Sequence, residues 1–402
     1  MVIKNNQGGR VDLSSKSLRR LEVKSPDSLS ANDIQAWSRI KAENPALYSP
    51  YFHVEYTQLI GTLCPDLHIG ILYENEIPIV FLPFQQSKSG IRGFARPVGM
   101  PMTDYHGFIA NAETQFDPFE FLEQCGIGAF HYSNLLDASG RMAAYTQTMA
   151  DATMMALQAG PDGPSAWREA RDSSYRRHLK SHRRRVRKSE ENYGPRRFVF
   201  KCQDSAVYDQ LMDWKREKFA ETGKYDVLSV DWTRKLLKTL WENQSEEQTS
   251  GLWCDMHALY FGDTLAAVDL GLTDGLVFHS WIVAYNNEVQ NLGPGIQLLE
   301  ALIDASPELG YERLDLGAGT EGYKRHYASD PFQTSSGFLA LRGPAGTVSK
   351  IYGATETFGE RKGGSLGKIP GKLRRRYSQI AACDESFSGR AKAMISAIKA
   401  SA

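Results

Sequence analysis

The sequence predicts an α/β (α+β) protein with mixed, mostly antiparallel sheets flanked by helices. Three observations carry this. Apolar residues recur at helical spacing in several segments, between short strand-like runs. The strand-like runs are joined by Gly-Asp and Asp-Gly turns, the signature of a meander. The order helix, helix, antiparallel strands, helix, strand occurs twice along 402 residues, without a repeat in the sequence itself.

Residues 1–27 are polar and predict a loose segment. SANDIQAWSRIKAEN follows, with Ile34, Trp37 and Ile40 at helical spacing and Ser30 or Asn32 as N-cap. HVEYTQLIGTLC predicts a second helix, and LHIGILYENEIPIVFLPFQQ two strands around a Glu-Asn-Glu turn. The turn formers of FARPVGMPMTDYHGFIA place it at a surface or cleft. DPFEFLEQCG predicts a helix and FHYSNLL a strand. PDGPS (Pro161–Ser165) is the candidate boundary.

Beyond it, YRRHLKSHRRRVRKSEENYG predicts a basic helix with Tyr175, Leu179 and Val186 near one face. RRFVFKCQD predicts a strand. AVYDQLMDWKREKFAETG predicts a helix with Tyr208, Leu211, Met212, Lys215 and Phe219 on one face, and WTRKLLKTLWEN another. Three or four strands then lie within residues 253–285, followed by a loop and helix in QNLGPGIQLLEALIDASPELG. YERLDLGAG predicts a strand and TEGYKRHYAS a short helix, before a Gly-rich and then basic helical tail.

Composition excludes some roles. Lys plus Arg equals Asp plus Glu at 47 each, so no whole-molecule field attracts nucleic acid or an anionic membrane. Cys64, Cys125, Cys202, Cys254 and Cys383 show no CxxC or metal-ligand spacing, and their odd number argues against a disulfide framework. No metal is suggested. No run reaches the roughly 20 apolar residues of a membrane helix, and the first residues lack a signal core. The expectation is a cytoplasmic protein, with contact at the inner membrane face left open.

QNLGPG (Gln290–Gly295) stands between VFHSWIVAY and an apolar helix. N–H groups at a helix start, with its partial positive charge, suit an anion. Gly293 and Gly295 let oxygens approach, and Pro294 fits a first helical position. A plain turn explains the same residues. It is neither a dinucleotide fingerprint nor a Walker loop.

With antiparallel strands before it and helix then strand after it, QNLGPG resembles the Gln/Arg-x-x-Gly-x-Gly/Ala pyrophosphate loop of the GNAT acyltransferases. PVGMPMTDYHG, the basic helix and YERLDLGAGTEGYKRHYA resemble the CelD-type, cellulose-biosynthesis-associated branch, related to the Fem-type peptidyl transferases. The resemblance implies two tandem GNAT-like domains. Residues 1–165 would form a degenerate, acceptor-side domain, 166–195 a basic linker helix, 196–345 the domain with the acyl-CoA site, and 346–402 a basic helical tail. It further implies acetyl-CoA or a longer acyl-CoA as co-substrate, held by Ile282, Val283, Gln290, Asn291, Leu292, Gly293, Pro294, Gly295 and Ile296.

Acyl transfer to an amine needs a base, oxyanion donors and a proton for the leaving thiolate. His279 suits a base near neutral pH, or is a satisfied half-buried histidine. Asp269 is a charge in an apolar strand, able to orient a base or bind an amine, or an edge-strand charge. Tyr323 or Tyr327 matches the location of the thiolate's proton donor in the family. Asp315 and Glu321 suit acceptor-binding carboxylates or bases, or turn and cap residues. Lys324 suits a phosphate or an acidic acceptor, or is an exposed helix lysine. Asp104 and Tyr105 fall on the acceptor side.

The expectation is an acyl-CoA-dependent N-acyltransferase acting on an amino-sugar or lipid-linked anionic precursor in exopolysaccharide or envelope biosynthesis. Peripheral membrane or synthase-complex contacts are allowed, and nucleic acid is a minor option. The rivals are a Fem-type aminoacyl-tRNA-dependent transferase, which the basic helix motivates, and a non-catalytic GNAT-like scaffold.

Overall fold

A computed structural model describes residues 18–86, 93–137, 139–157, 160–243, 251–319, 322–329, 332–362 and 380. In chain order the strands are β1 (Arg19–Lys24), β2 (Leu67–Glu74), β3 (Ile77–Gln85), β4 (Phe94–Pro97), β5 (Ile109–Ala110), β6 (Ala129–Leu135), β7 (Thr146–Ala156), β8 (Arg196–Val199), β9 (Trp253–Phe261), β10 (Thr264–Thr273), β11 (Val277–Tyr285), β12 (Arg313–Ala318) and β13 (Phe332–Ala340). The helices are α1 (Ala31–Glu43), α2 (Val54–Leu63), α3 (Pro118–Gln124), α4 (Gly163–Glu169), α5 (Ser173–Tyr193), α6 (Ser205–Glu221), α7 (Asp231–Glu242), α8 (Pro294–Leu309) and α9 (Pro344–Lys362).

Local chemistry starts and stops these helices. Ser30 and Asp33 form a capping box on α1. Asp172 caps α5, its carboxylate accepting from the N–H groups of Ser174 and Tyr175. Gly310, at φ 86°, ends α8 in the left-handed conformation that glycine adopts without strain. The buried residues of α7 (Thr233, Leu236, Leu237, Leu240, Trp241) follow helical spacing and pack on β9.

The strands run in the order β1-β2-β3-β4-β6-β13-β7-β12-β11-β10-β9-β8, with β5 beside β3. The two parts of this surface join through β4, which pairs two residues with β3 and two with β6. Most pairs are antiparallel; β4/β6 and β11/β12 are parallel. β13 comes from the C-terminal part of the chain, yet it lies between β6 and β7. Residues 165 and 166 fall inside α4.

Three expectations need correction. Residues 19–24 of the segment expected to be loose form β1, held antiparallel to β2 over six residues. Of TEGYKRHYAS, the described residues form only a short 3-10 turn, Lys324–His326. FARPVGMPMTDYHGFIA is mostly buried and contributes β4 and β5. β7 and β13 carry no clean alternation and were not legible in the sequence. The tail beyond residue 362 lies outside the described residues, apart from residue 380.

The feature that positions the site is a divergence of β11 from β12. They pair only at Val277↔Arg313, Phe278↔Leu314 and His279↔Asp315. Beyond His279 no described strand pairs with the β12-facing side of β11. On its other side, the ladder to β10 slips at Leu270/Gly271, leaving Trp281 bulged. Gly271 permits this close packing: a Cβ there would lie 2.3 Å from the Phe278 ring and 2.8 Å from the His279 carbonyl oxygen. Gly271→Ala is therefore expected to destabilise the fold by about 1–3 kcal/mol, read as a lower urea midpoint. An unchanged midpoint would show that the bulge relaxes freely.

Candidate active site

The open fork between β11 and β12 gathers residues from both parts of the chain. His279 is fully buried on the last paired rung. Its Nε2 donates to Asp104 Oδ2 at 2.8 Å, and its Nδ1 faces Asp315 Oδ2 at 3.6 Å, beyond hydrogen-bond length but within ion-pair reach. The rings of Tyr51 and Tyr105 meet the imidazole edge to face. Burial pushes the His279 pKa down, but the charge of Asp315 and the hydrogen bond to Asp104 outweigh it and raise it to about 9. The two carboxylates thus favour the protonated form of His279. In that form it has no free lone pair for the role of base and stands as a cation between two carboxylates.

Asp315 is fully buried and saturated. Tyr48 donates at 2.7 Å, Tyr105 at 2.9 Å and the Gly317 N–H at 2.8 Å. Burial raises its pKa, but His279 and these donors hold it below the ordinary value. Tyr105 is equally buried. Both were expected at the acceptor; the structure puts them beneath the floor, where they orient His279. Asp104 alone of this group reaches the cleft, its side chain 37% exposed. Gly317, at φ 78°, makes room for it: a Cβ there would be 3.3 Å from Asp104 Oδ2.

Asp269 lies on β10, between β9 and β11, so it is not an edge charge. Ser280 Oγ donates to its two oxygens at 3.0 and 2.8 Å. Burial pushes its pKa up to about 7, against the lowering effect of Ser280, Lys215 and His279. A carboxylate that titrates near neutrality can both take and give a proton at working pH. Tyr323 is half exposed, and its hydroxyl is pushed up to about 12 by desolvation and by the charges of Asp269 and Tyr285. Tyr327, the alternative, is fully buried, and its hydroxyl donates to Glu300 at 2.8 Å. The geometry thus separates the two tyrosines. Lys324 Nζ donates to the Ala318 carbonyl at 3.2 Å. Glu321 lies outside the described residues.

The other end of the fork is the start of α8. Residues Asn287–Leu292 form a 3-10 turn containing Gln290 and Asn291, and Leu292 is buried. Gly293 takes φ 66° and caps α8, with Pro294 at its first position. The first-turn N–H groups of Gly295 and Ile296 have no partner within the helix. Over Gly293 lies the Arg185 side chain of α5; a Cβ on Gly293 would be 3.0 Å from its Nη1. Ile282 and Val283 pair with β10 and lie on the stretch of β11 that has parted from β12. α5 is held against α8 by Gln297, whose amide reaches Ser189 Oγ and the Leu292 carbonyl, and by Tyr175, which donates to Glu300.

Reading the sequence missed Ser280, Gly317 and the supporting Tyr48 and Tyr51. Lys215 had been placed on the apolar face of its helix, and a cation on that stripe was the available signal. The described cysteines, Cys64, Cys125, Cys202 and Cys254, are buried and form no disulfide with one another. Among the described residues no group of three or more His, Cys, Asp or Glu is arranged to hold a metal, and no helix is long and apolar enough to cross a membrane.

The family profile described as an acetyltransferase (GNAT) domain matches residues 174–325, from the start of α5 to the turn after β12. No curated protein matches the sequence. Among solved structures, FemX superposes with a TM-score of 0.50 at 8% identity, over 82% of this chain and 99% of that one. A conserved protein of unknown function from Bacteroides thetaiotaomicron VPI-5482 gives 0.49 at 10% identity, over 80% and 100%. A tandem GNAT protein from the clavulanic acid biosynthesis pathway gives 0.43 at 12% identity, over 81% and 99%. The likeness to FemX is one of fold. Residues 174–325 thus match the GNAT acetyltransferase profile, and the chain shares its mixed α/β fold with FemX.

The protonated His279 has a measurable consequence. A raised histidine pKa stabilises the fold fully below the unfolded value near 6.5, and that stability is lost as pH rises through about 9. The difference in urea stability between wild type and His279→Gln should shrink across this window, by about 3 kcal/mol at most. A difference independent of pH from 6 to 10 would show that His279 is neutral in the folded protein.

Proposed function

We propose that this protein is an acyl-CoA-dependent N-acyltransferase of the CelD type, and that its acceptor is an amino sugar or lipid-linked anionic precursor of envelope or exported polysaccharide. The observation that carries the donor assignment is the fork: β11 and β12 part after His279 and Asp315, and α8 begins at a left-handed glycine across the opening. The residues fit such a donor. The N–H groups of Gly295 and Ile296, with Arg185 beside them, form the cradle for its phosphates, which a Cβ at Gly293 would crowd. The side of β11 turned away from β10, at Ile282 and Val283, would line its pantetheine arm, with the Val283 carbonyl already bonded to Lys215. When bound, the thioester supplies an acyl carbon open to attack.

The chain's own residues supply the rest. Asp104, braced by His279, draws the acceptor amine into the cleft. Asp269 takes the proton that the amine gives up as its nitrogen bonds to the acyl carbon. As the carbon–sulfur bond breaks, Tyr323 protonates the sulfur. The acceptor class follows from the resemblance to the CelD branch; the same chemistry admits an alcohol as acceptor. Work at the inner membrane face or with a synthase complex belongs to the same reading.

Titration calorimetry with acetyl-CoA and longer acyl-CoAs tests the donor. Saturable binding is expected, weakened in Gly293→Val; a folded protein that binds none of them rules the reading out. The exposed cations of α5, among them Arg176, Arg177, Lys180, Arg183 and Arg184, favour the rival donor, an aminoacyl-tRNA. That rival requires salt-dependent tRNA binding in place of CoA binding. For the base, Asp269→Asn should lower kcat/KM by about 10²–10⁴ with acyl-CoA affinity retained. Equal turnover in this variant would remove Asp269 from the mechanism.

A further inference from the structure

Lys215 is the unexplained charge of the cleft. It lies on α6 in line with Tyr208 and Leu211, which are buried, and Met212. Its side chain crosses to the open lip of β11, where Nζ donates to the Val283 carbonyl at 3.1 Å. Val283 is the register partner of Asp269 on β10. Among the described residues no carboxylate lies within ion-pair distance of the ammonium. A desolvated lysine without a direct ion pair is costly, and here burial lowers its pKa while Asp269, its strongest opposing influence, raises it.

The other cation near Asp269 is already committed. His279 bonds Asp104 and faces Asp315. Besides Lys215 on α6, Asp269 has Ser280 and His279 on β11, Tyr323 after β12, and Tyr311 ahead of it as electrostatic neighbours. Lys215 in turn senses Lys224, Asp104 and Lys324. Of the groups around Asp269, Lys215 is the cation without a carboxylate of its own.

We infer that Lys215 is a positioning residue for Asp269: from the lip of β11 it supplies the counter-charge that keeps this carboxylate in its proton-accepting form. The inference rests on the acyltransferase reading only in taking Asp269 as the base. A nearby opposite charge favours an ionised carboxylate, while Ser280 fixes its orientation. A lysine that merely plugged the unpaired edge of β11 would contribute to stability and leave the titration of Asp269 unmoved.

The test follows the Asp269 carboxylate by carbon-13 NMR in the full chain, with the signal assigned through Asp269→Asn. In Lys215→Met the midpoint should move up by about one pH unit. Lys215→Arg should return it close to wild type, and Lys215→Gln serves as a second charge-free variant should the methionine protein not fold. The acid limb of kcat/KM for acetyl transfer should move in the same direction, so that activity lost near neutrality returns at higher pH. An unmoved midpoint in both charge-free variants overturns the inference. A moved midpoint in a protein that binds no acyl-CoA supports the electrostatic coupling and refutes only the acyltransferase reading.

Discussion

The last rung of the β11/β12 ladder is also an ion pair. His279 and Asp315 face each other in register, and both are fully buried. Up to that rung the strands share backbone bonds; after it they part. The charge that closes the ladder therefore defines where the cleft begins. It also reaches across the chain, since Asp104, Tyr105 and Tyr48 come from the N-terminal part and bond to this pair. Trp281, just beyond the rung, donates to the Met102 carbonyl at 2.7 Å and anchors the same N-terminal loop. Loss of this contact set would loosen the cleft floor and release the loop that carries Asp104.

Within the cleft the charges divide into two groups. Around His279, two carboxylates flank one imidazole: Asp104 at the cleft and Asp315 beneath its floor, where tyrosine hydroxyls satisfy it. At the lip, Asp269 has a neutral serine and a lysine at longer range, and its pKa moves toward neutrality. Similar residue types thus acquire different work from their surroundings: Asp315 is locked ionised, while Asp269 can exchange a proton. Low polarity and fixed dipoles around a small number of charges produce this division.

Much of the fold was legible in the sequence because its signals are local. The capping residues of α1, the apolar spacing of α7 and the turn residues around β10 report directly on backbone conformation. β7 and β13 were not legible, because their stability comes from being flanked by other strands rather than from an alternating pattern. The site was partly legible. Gly293 and Pro294 declare a helix start, and His279 and Asp269 stand out as polar residues in apolar strands. Their division of labour was hidden, since it depends on Asp104, about 175 residues earlier, on the bulge at Trp281, and on which tyrosine finds a buried acceptor. Neither spacing nor composition records such contacts.

The threading of β13 between β6 and β7 has a consequence for how the chain is made. Residues 129–135 and 146–156 leave the ribosome well before residues 332–340, which fill the space between them. Until then two strand edges stay open, each a template for a wrong partner. The slot must be held for nearly two hundred residues of synthesis, so the N-terminal part cannot complete its sheet as an early, autonomous unit. Completion of the sheet is therefore tied to the arrival of its last strand.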